Sequence, residues 1–356
     1  MLFLSHPAFK RLTGLAATAL LSLLAAPAQA LELDVIQYNV QFVSPWNFGR
    51  VSWDHKPNTE ERARAIGRAL ACYDIVALNE TINDDRRRQI LEAMKAQAGA
   101  CDRPARPGWD LGGDLGWDPA FSILTGPKLP EEEAGLPGFG ALADFVTADV
   151  PMALTDDEVA LVTRLPILDS AALRFDAARG TDALTAKGVL HARLARGARA
   201  AENDALDVFV THLQANHADI RDLQVDQLAD FIEERSDPAL PALILGDLNI
   251  DGSPAARGDP KAEYHAMMRR LAPLGFVDIG LDLDGTDSWQ RRRIDYVLLR
   301  PQRLEAREAR VETFGVLPFE ALSDHAAVAA RLHWRSAGSS APRKRVVGDG
   351  LPLASP

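Results

Sequence analysis

Cysteine is almost missing from this 356-residue sequence, and Cys72 and Cys101 form neither a disulfide framework nor any metal-ligand spacing. Positive charge is also short: 39 Lys and Arg stand against 50 Asp and Glu, for a net charge of −11. Polyanion binding works through basic surface that releases counterions, so this balance argues against nucleic acid and leaves it only a local basic patch. After the N-terminal segment no uninterrupted apolar run reaches the length of a membrane helix. No internal repeat is apparent, so a repeat array is not expected.

What is present begins with a leader. Lys10 and Arg11 precede an apolar run from Leu12 to Ala26 that closes on Ala28-Gln29-Ala30. A basic start, an apolar stretch short for a bilayer and small residues three and one before the cut read as a signal peptide removed after Ala30. The expectation is therefore a leader over 1–30, one catalytic-sized domain over 31–335, and a secreted or periplasmic protein. The tail 336–356, rich in Ser, Gly and Pro with a basic cluster Arg343-Lys344-Arg345, reads as disordered. In an oxidising compartment Cys72 and Cys101 can close one disulfide. The alternative is a reduced Cys72 buried at the end of an apolar helix face.

Leu31, Leu33, Val35 and Tyr38 approximate a strand, and Asp74 to Asn79 is a short apolar run of central-strand type. Between them Asn58, with Glu61 three residues later, signals a capping box before Ile66, Ala69 and Leu70 at helical spacing. A second helix is expected from Asp84 to Met94. Residues Gly99 to Asp157, rich in Gly, Pro and acids with Trp109, Trp117 and Phe121, read as a long irregular insertion. Further strands are expected at Glu158–Thr163, Lys187–Leu194, Leu206–Leu213, Ala242–Asp247, Arg293–Leu299 and Asp324–Leu332, with helices around Ile220–Glu234 and Lys261–Leu271. This order predicts an α/β protein with two packed sheets flanked by helices.

The chemistry sits where polar residues end these strands. Asn39 follows Ile36-Gln-Tyr38, and Glu80 follows Val76-Ala-Leu-Asn79; either alone is an ordinary turn residue. Thr211-His-Leu-Gln-Ala215 puts His212 at the end of an apolar strand, where a core histidine is the commoner outcome. Gly246-Asp-Leu-Asn249 is more telling, because Asp247 and Asn249 at i and i+2 project to one side and can grip one phosphate or metal. Arg293-Ile-Asp-Tyr296 offers Asp295 among apolar neighbours, costly unless a cation meets it, and Ser323-Asp-His325 supplies His325 as that partner.

As a set, in this order, these motifs resemble the endonuclease/exonuclease/phosphatase superfamily across nearly the whole chain beyond the leader. The resemblance implies a four-layer α/β/β/α sandwich of two mixed sheets with the site at one end. It further implies phosphodiester hydrolysis with Mg²⁺, or Mn²⁺ or Co²⁺, as one or two ions. Glu80 and Asn39 would hold the ion, with Asp247 or Asp324 completing the shell or holding a second. His325 would be the general base, with Asp295 fixing its tautomer. Asp247 and Asn249 would orient water and phosphoryl group, and His212 would donate hydrogen bonds to the phosphoryl oxygens.

Within that superfamily Thr211-His-Leu-Gln-Ala215, Leu184-Thr-Ala-Lys-Gly-Val189, Glu158 to Ile167 and Arg221-Asp-Leu-Gln224 resemble the bacterial neutral sphingomyelinases. That branch implies a monomer acting on a phospholipid through transient membrane contact, with Lys187 at the substrate mouth; a solvated lysine at a strand edge is the plainer alternative. Two features depart from it. The stretch Phe314 to Phe319 is short for a membrane-inserting hairpin and reads equally as core, and Trp109 and Trp117 suit either a membrane or choline contact or buried loop anchors. A secreted nuclease or other small phosphodiesterase is the nearer alternative. A non-catalytic binding protein is the remote one, since every named position holds a chemically competent residue.

Overall fold

Leu33 and Val35 point to one side of Leu31–Asn39 and Ile36 and Tyr38 to the other, so the strand they form, β1, is buried on two faces. The computed structural model describes residues 31–42, 56, 58–101, 122–125, 159–196, 204–287, 290–315 and 321–335. The expected leader, Trp109, Trp117, the tail and its basic cluster lie outside the described residues. The remaining strands are β2 (Ile75–Asn79), β3 (Ser122–Thr125), β4 (Val159–Thr163), β5 (Ile167–Arg174), β6 (Gly188–Ala195) and β7 (Ala205–His212). They continue with β8 (Ala242–Asp247), β9 (Val277–Asp278), β10 (Asp295–Arg300), β11 (Leu304–Glu312) and β12 (Ala327–Trp334). Two six-stranded sheets result, ordered β11-β12-β1-β2-β4-β3 and β5-β6-β7-β8-β10-β9. Both are mixed, with β1 parallel to β2 and β7 parallel to β8 inside otherwise antiparallel pairings.

Four longer helices cover the outer faces: α1 (Glu60–Leu70), α2 (Asp84–Gln97), α3 (Ala218–Arg235) and α4 (Glu263–Leu271). In α1 the Thr59 side chain accepts from the Arg62 amide, Glu60 and Glu61 occupy the positive first turn, and Arg68 the last. Asn83 caps α2 in the same way. Ala63, Ile66 and Leu70 of α1 pack with Ile90 and Met94 of α2 against one sheet. Val225, Leu228 and Ile232 of α3 pack with Met267 and Leu271 of α4 against the other. Between the sheets lies a third cluster, including Leu33, Val35, Ile75, Val208, Val210, Leu243, Leu245 and Val297. The layers are thus helices, sheet, sheet, helices, the sandwich expected from the sequence. Truncating a fully buried member such as Leu245 to alanine costs about 2–5 kcal/mol.

Several local readings change. The cap of α1 is Thr59 and not Asn58, because the Asn58 side chain is spent accepting from Arg86 Nε of α2 at 2.8 Å. The insertion read as irregular contributes β3, which pairs with β4. The charged alternation of β11, Leu304-Glu-Ala-Arg-Glu-Ala-Arg-Val-Glu312, hid an edge strand, and the half-exposed β5 did the same. Cys72 and Cys101 form a disulfide, so the reduced alternative is set aside. Phe314 packs edge-to-face on Tyr38 at 5.5 Å and belongs to the helix-side core; residues 316–320 lie outside the described set.

At the end of the second sheet away from its motif-bearing strand ends, Asp207 is fully buried. It accepts from His191 Nε2 at 3.0 Å, Arg193 Nε at 2.8 Å and Ser236 Oγ at 3.0 Å. Burial works to raise this carboxyl, but the bonds and charges of His191 and Arg193 outweigh it and hold it below the usual range. A carboxyl depressed in the folded state adds stability that is present above its unfolded pKa, about 3.9, and is lost as pH falls through the folded value. Asp207→Asn is therefore expected to cost about 3 kcal/mol at pH 7 in urea unfolding, with the penalty shrinking below about pH 4. An equal penalty at both pH values would contradict this.

Candidate active site

Along β1 the face that carries Leu33 and Val35 continues with Gln37 and Asn39; along β2 the face of Ile75 and Ala77 ends on Asn79. In the second sheet Val208 and Val210 lead to His212, Leu243 and Leu245 to Asp247, and Val297 and Leu299 lead back to Asp295. The face that packs the two sheets together thus turns polar at one end. Pairing aligns the polar ends: Asn39 lies beside Asn79, His212 beside Asp247, and Asp247 opposite Asp295. His325, just before β12, joins them through a bridge with Asp287 and the Ala326 amide, which donates to Thr286 O at 2.8 Å.

Asp247 Oδ2 is the centre. It accepts from Asn39 Nδ2 at 3.1 Å and lies 3.6 Å from His212 Nε2 and 3.8 Å from His325 Nε2. Asn39 Nδ2 also donates to Glu80 Oε1 at 2.9 Å, so one amide joins the two carboxylates. The other oxygen, Asp247 Oδ1, accepts the Asn249 amide at 2.9 Å and closes the turn after β8. Asn249 Nδ2 donates to Leu213 O at 3.0 Å and lies 3.2 Å from His212 Nε2. His325 Nδ1 sits 2.8 Å from Asp295 Oδ2. Asp324 accepts from Gln41 Nε2 at 2.6 Å.

These contacts are reflected in the charges. Burial opposes ionisation of Asp247, yet His325, His212, the Asn39 bond and Lys187 hold its carboxyl below the usual range. Asp295 is pushed up by burial and by Asp247 facing it across the strand pair, against the pull of His325. Burial would lower His325, but Asp295, Asp247 and Asp324 raise it well above the usual imidazole value. Burial and the charge of Asp324 likewise raise the half-buried Glu80, against His212 and the Asn39 bond. Acids crowded in this way form a site for positive charge. Glu80, His212 and Asp247 each bring a ligand atom within 4.8 Å of one another, and so do Asp247, Asp295 and His325.

All the residues singled out in the sequence for catalysis and metal binding meet here: Asn39, Glu80, His212, Asp247, Asn249, Asp295, Asp324 and His325. Lys187, read as part of the substrate mouth or as a solvated edge, is 2% exposed, and its ammonium donates to Leu213 O at 3.0 Å. Arg221 and Gln224 also turn inward. Arg221 donates to Gln214 O and Ala215 O, and Gln224 accepts the Gln214 amide, which fixes the loop that follows His212.

Sequence reading missed the residues that hold the ligands. Gln41 orients Asp324, and Ser323 Oγ donates to Asn39 O at 2.7 Å and accepts the His325 amide at 3.2 Å. Thr286 Oγ1 accepts the amides of Ile294 and Asp295, each at 3.2 Å. Arg62 is fully buried and stacked on Phe42. It donates to Val40 O and Leu322 O at 2.7 Å and to Gln41 O at 2.8 Å, tying the exit of β1 to the loop that carries His325. Burial lowers this guanidinium to about 10, so it keeps its charge at neutral pH. Gln41, Glu80 and Asn249 all have positive φ, at 49°, 57° and 53°. Backbone strain of this kind, about 1–3 kcal/mol per residue, persists where surrounding contacts over-determine it.

The sequence profile described as the Endonuclease/Exonuclease/phosphatase family matches residues 36–325. A sphingomyelinase of Dictyostelium discoideum is 27% identical over 136 residues, which span 30% of this chain and 30% of that protein, less than a third of its length. The beta toxin of Staphylococcus aureus superposes with a TM-score of 0.56 at 18% identity, over 84% of this chain and 99% of that one. A variant of it solved with bound magnesium ions gives 0.56 at 17% identity, over 86% and 100%. Sphingomyelinase C of Streptomyces griseocarneus gives 0.53 at 22% identity, over 85% and 99%. At these identities the superpositions establish a shared fold.

Gly246 shows how tightly the site is built. A Cβ placed on it would fall on the Thr211 carbonyl oxygen of the neighbouring strand. Gly246→Ala is expected to destabilise the protein by about 2 kcal/mol in a denaturant titration. An unchanged midpoint would show that β7 and β8 have room to separate.

Proposed function

The chain belongs to the Endonuclease/Exonuclease/phosphatase family, whose members hydrolyse phosphodiester bonds, and from that premise we propose that it is a secreted, Mg²⁺-dependent sphingomyelin phosphodiesterase releasing phosphocholine and ceramide. The observation that carries the hydrolytic part is the approach of His325 Nε2 and His212 Nε2 to one carboxylate oxygen, Asp247 Oδ2, with Asp295 behind His325.

The donor set fits a hard divalent cation. Glu80 and Asp324 offer carboxylate oxygens, burial and the charge of Asp324 together raising Glu80, and Asn39, whose Nδ2 donates to Glu80 Oε1 while its Oδ1 accepts the Gln41 amide at 3.1 Å, steadies Glu80 beside them. Glu80, with Asn39, Asp247 and Asp324 around it, is the set that would hold Mg²⁺, or Mn²⁺ or Co²⁺ in its place. A divalent cation bound there supplies charge that neutralises the phosphodiester oxygens and offsets the acids favouring the His325 imidazolium.

The protein's own groups do the rest. Asp295 accepts a hydrogen bond from His325 Nδ1–H, which turns Nε2 toward Asp247 as the atom that takes a proton from water. At 3.8 Å, Nε2 and Asp247 Oδ2 are too far apart to hydrogen-bond directly and near enough to hold the same water. His212, on the other side of Asp247, is placed to donate to a phosphoryl oxygen as charge develops.

Three observations support a lipid over nucleic acid. The Dictyostelium discoideum relative and the Streptomyces griseocarneus structure are described as sphingomyelinases. The leader-like start suits export to a lipid surface. Two members of the basic run before Asp295 are already paired with acids: Arg293 is buried on Asp278 at 2.6 Å, and Arg292 meets Asp287 at 3.1 Å. Among the described residues no helix is long and apolar enough to cross a membrane.

The test assays purified protein with Mg²⁺ on sphingomyelin micelles, phosphatidylcholine and plasmid DNA, following phosphocholine release and nicking. Sphingomyelin cleavage is expected, abolished by chelator and reduced about 10³-fold or more in His325→Ala and Glu80→Gln. DNA nicking without phosphocholine release would discard the lipid reading, and activity surviving in both variants would discard the mechanism.

A further inference from the structure

The two halves of the site come from different sheets. Asn39 and Glu80 belong to the exits of β1 and β2, whereas His212, Asp247 and Asn249 belong to the exits of β7 and β8. Hydrogen bonds along strands fix positions within each sheet; packing between the sheets is apolar and non-directional, so it does not set register at the level of a hydrogen bond. Asn39 makes one hydrogen bond between the sheets, from Nδ2 to Asp247 Oδ2 at 3.1 Å, and a second buried amide makes two. Asn79, fully buried, accepts from Gln37 Nε2 at 2.7 Å inside its own sheet. Its Oδ1 also accepts the backbone amide of Asp247 at 3.0 Å, and its Nδ2 donates to Thr211 O at 3.0 Å, both in the opposite sheet.

These partners are the residues on which the chemistry turns. Thr211 immediately precedes His212, the Asp247 amide belongs to the central carboxylate, and Asn79 immediately precedes Glu80. A two-point clamp that combines one donor and one acceptor fixes distance and direction together. Its position next to Glu80 means that any slip of one sheet against the other moves Glu80 relative to Asp247. Gln37, by contrast, donates to Asn79 from within the same sheet, so its bond does not span the gap between the sheets.

We infer that Asn79 is a positioning residue for hydrolysis, setting the spacing between the cation-binding half of the site and the half that activates water; this rests on the phosphodiesterase reading above. The charge of the residue is irrelevant to this role and its two-sided hydrogen bonding is the whole of it. An apolar side chain of similar size, as in Asn79→Leu, leaves the sheets packed and releases the register.

The full chain is assayed with Mg²⁺ on bis(4-nitrophenyl) phosphate as wild type, Asn79→Leu, Asn79→Asp and Gln37→Met, alongside urea unfolding and amide hydrogen exchange at Asp247. Asn79→Leu is expected to lose about 100-fold in kcat with KM within about threefold, the cost of a misplacement on the order of 1 Å. Gln37→Met should be destabilised comparably and keep kcat within about fivefold. Exchange at the Asp247 amide should accelerate in Asn79→Leu and not in Gln37→Met. If the leucine variant does not fold, Asn79→Asp, isosteric but turning a carboxylate oxygen toward Thr211 O in place of the donor, takes its place with the same expected direction. Loss of kcat equal in the Asn79 and Gln37 variants, or wild-type kcat in an Asn79 variant, overturns the inference. A wild type that cleaves no phosphodiester would sink the proposed function, while the exchange comparison would still decide whether the clamp exists.

Discussion

A charged carboxylate inside the seam between two sheets is the constraint around which this protein is arranged. Asp247 is almost fully buried at the edge of an apolar layer, where an unpartnered charge costs several kcal/mol. It is tolerated because Asn39, His212 and His325 converge on one oxygen and the Asn249 amide on the other. Each partner comes from a different strand end, so satisfying the charge and assembling the site are the same event. Asp295, facing Asp247 across β8 and β10, would make the arrangement repulsive without His325 between the two acids.

The loops that deliver these groups are held by buried guanidiniums. Arg62 binds carbonyls on both the β1 exit and the His325 loop. Arg221, paired with Glu263 of α4, binds the two carbonyls that follow His212 and Leu213. Arg293, paired with Asp278 and stacked over Tyr296, donates to Gly252 O beyond Asn249. Arginine suits the task because its planar fork satisfies several carbonyls at once. Several arginines of this acidic chain are thus placed where they shape backbone.

The convergence of the candidate site residues was legible because each interrupts a strand whose remaining members are apolar, and because Gly246-Asp-Leu-Asn249 and Ser323-Asp-His325 have few bland explanations as a set. The sandwich was legible from the same alternation. The support was harder to read. Gln37 and Asn79 stand on the inward face of their strands after Leu33, Val35, Ile75 and Ala77, a signal present in the sequence, but a buried amide there has no partner until the other sheet is known. Arg62 and Arg221 look like the polar side of amphipathic helices, and only the loops packed over α1 and α3 show that they point inward. Thr59 and Asn58 compete for one cap, and the contest is settled by Arg86 from a different helix.

Activation of water for attack on phosphorus is the role proposed for these converging groups. Single-turnover hydrolysis of a phosphodiester in ¹⁸O-labelled water, read by mass spectrometry of both products, addresses it most directly. One labelled oxygen is expected in the phosphoryl product and none in the released alcohol. Label in the alcohol, or a first turnover that leaves the phosphoryl product unlabelled, would contradict it.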